Sequence, residues 1–265
     1  MEQTHTKISV VPVPDYLEII ERNDIDLLKI PADLAVLNGD LALTRRGDLM
    51  LNDIDYSACF SLVNWWRYNY PVMAVMFEAV FPPADLAERL DGELEELFTR
   101  AAATSPHPMQ SFDYDAYHRI NDARGAQQVA RGVYAGAISV ALSNAMQSFR
   151  ADIQATMGEW DASSPAFGGC SLGQVIIASA NNVRHADEWQ AARPPSERQL
   201  QSMRVLAAAL NEPLDPPDGS RHQFGREISP ETLHVISGGD LEQLEANFFA
   251  FAKDLLKRKR HRAGI

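Results

Sequence analysis

The residues best suited to chemistry lie in one run, Asn181-Asn182-Val183-Arg184-His185-Ala186-Asp187-Glu188-Trp189. The segment before it, Val175-Ile176-Ile177-Ala178-Ser179-Ala180, is apolar, so a helix buried over its first half turns abruptly polar. Such a change marks an interface, a site or the solvent. At about 100° per residue, Asn181, His185 and Glu188 share one side of the helix, with Arg184 beside them. The group offers a cation, an imidazole that titrates near neutral pH and a carboxylate to orient it. That set suits general acid/base work on a phosphodiester, the His moving the proton and the Arg stabilising the charge that develops. The candidate catalytic residues are therefore Arg184, His185, Asn181 and Glu188. The competing reading is an internal network, with Arg184 paired to Glu188 at i, i+4 and His185 hydrogen-bonded to Asn181.

Other patterns carry less chemistry. Gly169-Cys170-Ser171-Leu172-Gly173 matches the GxSxG of serine hydrolases, in which the Ser stands on a sharp strand-to-helix turn. Here a polar stretch, Asp161–Gly168, precedes it, and Ser171 reads as a helix N-cap. A strand before Ser171 would revive the hydrolase. No HExxH, CxxC pair or EF-hand loop occurs. Asp113, Asp115 and His118 could cluster on one face, but acidic residues in a first helical turn explain them. No metal and no cofactor is expected. Gly238-Gly239-Asp240 precedes a helix without the Lys or Ser/Thr of a phosphate loop. Trp65-Trp66-Arg67-Tyr68-Asn69-Tyr70 could stack on bases, yet this pattern ending an amphipathic helix fits packing against a neighbour, with Trp66 buried.

The elements that must position these residues are mostly helical. Cys59, Leu62, Val63 and Trp66 mark one face of a helix over 55–68. Pro71 is expected to interrupt it and to open the next helix, 72–81. Pro82-Pro83 ends that one, and 84–100 follows with Leu86, Leu90, Leu94 and Leu97 inward. Residues 102–111, with Pro106 and Pro108, form the interior boundary. A long helix runs over about 113–157 with a small-residue face at Gly132, Gly136, Ala137 and Ala141. Residues 158–169 read as a loop, then helices at 171–192, 196–211 and 240–260, with a short one opened by Ser229-Pro230. Capping boxes are predicted at Ser171/Gln174, Ser196/Gln199 and Asp240/Gln243. Near the N-terminus, Ile8–Val13 is a β-branched run, Asp15–Glu21 a helical turn or two, and 42–44 and 49–51 flank Arg45-Arg46-Gly47-Asp48 as one β-hairpin. The architecture is mainly α: a small α+β N-terminal region over 1–110, then a helical bundle over 111–265.

Of 265 residues, 46% are hydrophobic and 23% charged, which excludes a disordered or collagen-like chain. The net charge of −12 argues against a general nucleic-acid coat while leaving room for a local basic site. The last thirteen residues are the exception, with Lys253, Lys257, Arg258, Lys259, Arg260 and Arg262 against Asp254 alone. Such a tail can bind RNA, DNA or an acidic partner, or complement the C-terminal dipole of its own helix. Cys59 and Cys170 read as reduced. Met1–Lys7 is polar, and no window resembles a membrane span, so a cytoplasmic protein without membrane contact is expected.

The long helix, the loop at 158–169 and the following helix with its Asn-Asn-x-Arg-His stretch resemble the HEPN superfamily over about 113–211. In that family small helical bundles carry a polar Arg…His motif. Here Asn181 and His185 have the four-residue spacing, with Asn where the family has Arg, and Arg184 is adjacent to His185. The resemblance implies a metal-independent ribonuclease or RNA-binding protein of a defence or toxin–antitoxin system, acting as a homo-oligomer with paired motifs. The competing expectation is a non-enzymatic interaction or regulatory protein that binds a protein partner through the small-residue face and the aromatic stretch.

Overall fold

The computed structural model describes residues 11–82, 84–104, 112–190, 195–214, 224 and 227–264. Among these the chain is mainly helical: α1 Tyr16–Arg22, α2 Ile54–Val80, α3 Ala84–Thr104, α4 Tyr114–Asp152, α5 Met157–Ala162, α6 Leu172–Gln190, α7 Glu197–Leu210, α8 Ser229–Ser237 and α9 Leu241–Ala263. Two small antiparallel pairs complete it, β1 Val36–Leu37 with β2 Asp40–Leu41, and β3 Ala166–Phe167 with β4 Cys170–Ser171. The interior boundary at 102–111 falls largely outside the described residues, as do Ile8, Ser9 and Val10 and most of the Pro-rich stretch after Asn211.

α4 is the spine. It packs against α2, α6 and α8, and α9 touches α2, α4 and α6. One hydrophobic cluster runs from Ile19 to Leu256, so elements before and after residue 111 share a core. The small-residue face works where α4 meets α6: a Cβ at Gly136 would lie 3.2 Å from the Val183 methyls. At Gly132 the nearby group is the Glu227 carboxylate.

Four sequence expectations change. First, α2 does not break at Pro71 but runs through it. Proline removes one backbone donor and costs roughly 3 kcal/mol inside a helix. Trp66, Met73, Phe77 and Val80 stay in helical phase across it, all buried, and each large side chain buried returns about 1.5–3 kcal/mol. Burial outweighs the proline. Second, the stretch 158–169 holds most of α5 and the start of the β3–β4 hairpin. Thr156 and Glu159 form a reciprocal capping box that starts α5, and Trp160 anchors it in the core.

Third, the N-terminal β element is larger than the hairpin expected. Leu43 and Leu49 do bridge around the Arg45-Arg46-Gly47-Asp48 turn, but the first strand pair lies earlier, closed by Asn38-Gly39 at φ 54° and 89°. Three segments then close a ring, with Ala42 N–H donating to Ala35, Met50 to Ala42 and Ala35 to Met50, each at 2.9 Å. Fourth, Asp240 caps α9 by accepting from Glu242 N–H, while Gln243 bonds Asn247 instead of reaching back.

The tail is committed to the fold. Asp55, buried in the first turn of α2, accepts from Lys259 Nζ at 2.7 Å and Arg260 Nε at 2.9 Å. Arg262 reaches Glu159 at 3.1 Å, and Arg258 pairs with Asp254 at 3.0 Å. Removing Asp55 (Asp55→Ala) strands two cations that are themselves only partly exposed, so urea unfolding should show a loss of about 2–3 kcal/mol. A loss under about 0.5 kcal/mol would mean that the cations find water without cost.

The start of α6 is fitted as closely. A Cβ at Gly173 would overlap the Trp160 and Phe251 rings, which meet edge-on at a 5.0 Å centroid distance. Gly173→Ala should gain about 1 kcal/mol of helix propensity and lose more to overpacking. The expected net change is a loss of about 1–2 kcal/mol, read from the urea midpoint.

Candidate active site

The site is built on α6 and α7. Ser171 starts α6: its Oγ accepts from Gln174 N–H at 3.2 Å, and Gln174 Oε1 accepts from Ser171 N–H at 2.9 Å. The apolar first half then buries Val175, Ile176, Ala178 and Ala180. Asn182 is fully buried and structural, its amide donating to the Phe224 carbonyl at 3.0 Å and its Oδ1 accepting from Ile228 N–H at 3.1 Å. That pair locks the segment before α8 to α6. Ser196 starts α7 with a reciprocal capping box to Gln199.

The second half of α6 and the first half of α7 line an open cleft of about 250 Å³. Asn181, His185 and Glu188 line it from α6, and Arg198, Gln199 and Ser202 from α7. His185 Nδ1 lies 3.1 Å from Glu188 Oε1, and Glu188 Oε2 accepts from Gln199 Nε2 at 3.3 Å. Asn181 Nδ2 donates to Ser202 Oγ at 3.2 Å. The carboxylate thus holds the ring by one nitrogen and leaves the other for a ligand. Trp189 is buried and lines the cleft, and among the described residues its indole N–H has no hydrogen-bond partner.

Three of the four sequence-predicted residues meet in this cleft. Arg184 does not. One residue of helix turns it about 100° from His185, and its guanidinium reaches Asn144 on α4 at 3.5 Å, exposed to solvent. Neither pair of the alternative network forms: Glu188 takes His185 and Gln199, not Arg184, and Asn181 takes Ser202, not His185. Among the described residues the cation lining the cleft is Arg198, which sequence reasoning missed. A signal existed, since the Ser196 cap fixes the start of α7 and so places Arg198 in its first turn. What no local pattern shows is that this turn faces His185.

The other candidates resolve into structure. A strand does precede Ser171, but β4 is two residues long in an isolated hairpin, and Ser171 is buried with its Oγ engaged as a cap. Among the described residues no parallel sheet presents it. Burial raises the Cys170 thiol above its ordinary range, with Asp161 adding to the effect. Burial pushes Cys59 up to about 12, with Asp55 adding to it; neither thiol is a ready nucleophile near neutral pH. Asp113 caps α4 through Ala116 N–H at 2.9 Å. Trp66 is fully buried against Phe248 and Phe249, and Trp65 stacks on Phe248 at 5.9 Å. Arg67 lies between the Tyr16 and Tyr68 rings, 5.6 Å from each centroid, and bonds Pro14 and Asn64. The aromatic stretch therefore packs α1 and α9 onto α2. Among the described residues no helix is long and apolar enough to cross a membrane.

Scans against protein-family models, curated proteins and solved structures find no match to this chain.

Proposed function

We propose that this protein acts on RNA as a HEPN-like, metal-independent endoribonuclease of the defence or toxin–antitoxin kind, working in the cytoplasm as a homo-oligomer. The observation that carries the reading is the His185–Glu188 pair, oriented at 3.1 Å yet standing in an open cleft rather than an enclosed network. A structural pair would be closed in and fully bonded; here the imidazole is 44% exposed. In this reading His185 takes the ribose 2′-hydroxyl proton as that oxygen attacks the neighbouring phosphorus; the P–O5′ bond breaks, leaving a 2′,3′-cyclic phosphate, and the departing 5′-oxygen takes a proton from water. Arg198, rather than Arg184, stabilises the charge gathered on the phosphoryl oxygens. Glu188 fixes the ring, and Asn181 and Ser202 supply further polar contacts to the nucleotide. A second copy provides the paired site and with it a second Arg198. The test is RNA cleavage in EDTA by the native protein and by His185→Ala. Loss in the variant supports the reading; no cleavage by either protein, or equal cleavage by both, overturns it.

A second reading, a non-enzymatic interaction protein, has its own support. Val36, Leu37, Leu41, Leu43 and Leu49 on the small β element are each at least half exposed, and grouped apolar exposure of this kind marks docking surfaces.

A further inference from the structure

A larger cavity than the His185 cleft, about 440 Å³, opens between α9, α2 and the turn after α1. It shares no residue with that cleft. Its interior is apolar: Leu62 and Val63 come from α2, Phe249, Ala252 and Leu256 from α9, and Ile25 from the turn. Its polar groups are confined to the edge and fall into two sets. Lys253, Arg260, Asp24 and Asp26 are already engaged. Lys253 Nζ donates to the Asn23 carbonyl at 2.7 Å, closing the end of α1, and Arg260 holds Asp55. Lys29 spans both acids at 2.8 and 2.6 Å, so their charge is largely answered. Lys257 and His261, one turn apart on α9, are exposed and make no ion pair or side-chain hydrogen bond among the described residues.

An apolar cavity of a few hundred Å³ with a small number of polar groups at one edge is the general form of a small-molecule site. Here the charge that is not already paired is positive. We propose that this cavity binds a small amphiphilic anion, a single aliphatic chain ending in a carboxylate, with the chain against Leu62, Val63, Phe249 and Leu256 and the head at Lys257 and His261. The apolar walls supply the affinity, at about 0.8 kcal/mol per buried methylene. Lys257 supplies the charge, with the His261 ring beside it, and together they choose the head group. Asp24 and Asp26 also line the cavity, and the part of their charge that Lys29 leaves unanswered opposes a dianionic phosphate head more than the single charge of a carboxylate.

Isothermal titration of the full chain with decanoate, kept below its micelle concentration, tests this. Saturable binding is expected, with 1-decanol and acetate each at least tenfold weaker and decyl phosphate weaker than decanoate. Lys257→Glu/His261→Glu lies at exposed positions and should fold normally, weakening decanoate about tenfold while leaving decanol unchanged. Ala252→Phe fills the interior and should abolish binding. If that variant does not fold, the charge-reversed pair decides alone. Absence of decanoate binding, equal binding of decanol and decanoate, or decanoate binding insensitive to both variants overturns the proposal. Because none of these residues lies in the His185 cleft, RNA cleavage and decanoate binding can fail independently.

Discussion

Replacing Glu245 with alanine will cost about 3–4 kcal/mol of unfolding free energy, a large share of the 5–15 kcal/mol that holds a typical domain. This carboxylate is 1% exposed near the start of α9 and accepts from three other side chains. Arg22 meets it two-pronged, with both Nε and the terminal nitrogen at 2.9 Å. Asn23 Nδ2 donates at 2.8 Å and Trp66 Nε1 at 2.7 Å. One side chain thereby joins α1, α2 and α9. Without it, Arg22, half exposed, can turn to water, but the Asn23 amide keeps only its 3.0 Å bond to the Ile19 carbonyl, leaving its second hydrogen and the Trp66 indole N–H buried without an acceptor. Each orphaned group costs about 1–3 kcal/mol, and removing one member of a buried ion pair costs about 3–5 kcal/mol before any such relief. Denaturant unfolding should show the midpoint fall with the slope unchanged. Glu245→Gln keeps one acceptor and the shape, so it should lose about half as much. If the alanine variant loses under 1 kcal/mol, the three helices are held by their apolar contacts alone.

His185→Ala should lower RNA cleavage by about 10²–10⁴-fold, the usual contribution of one positioned acid/base. Its side chain is partly exposed and makes one side-chain hydrogen bond, so stability should move by less than about 0.5 kcal/mol. An activity loss with an unchanged melting curve would separate chemistry from folding. The two arginines make a sharper comparison. Arg198→Ala should fall with His185→Ala, because Arg198 lines the same cleft. Arg184→Ala should act weakly, because its guanidinium lies over α4. If Arg184 mattered and Arg198 did not, the site would lie on the α4 side of α6 and the cleft would be incidental. Glu188→Gln should lie between, since it positions the ring without touching the reacting atoms.

Helix positions and several of their ends were legible in the sequence because they depend on neighbours a few residues apart. The Ser171 and Ser196 capping boxes, the Ser229-Pro230 start of α8 and the burial of Trp66 all follow from local geometry and apolar phase. Asn38-Gly39 was an equally local signal for the first hairpin, since both residues adopt the positive φ such a turn needs. Most of the candidate site was readable too, because Asn181, His185 and Glu188 share a face of one helix. What remained hidden depends on residues distant in the chain. The continuity of α2 through Pro71 follows from what Met73 and Phe77 bury against. The role of Glu245 needs partners 223, 222 and 179 positions away, and a single Glu on a helix otherwise reads as a solvated charge. Arg198 replaces Arg184 because α7 folds back on one side of α6 and α4 covers the other. Local sequence sets which face of a helix is polar; only the packing of the other helices decides what that face meets, because the energy that chooses it is burial shared among all of them.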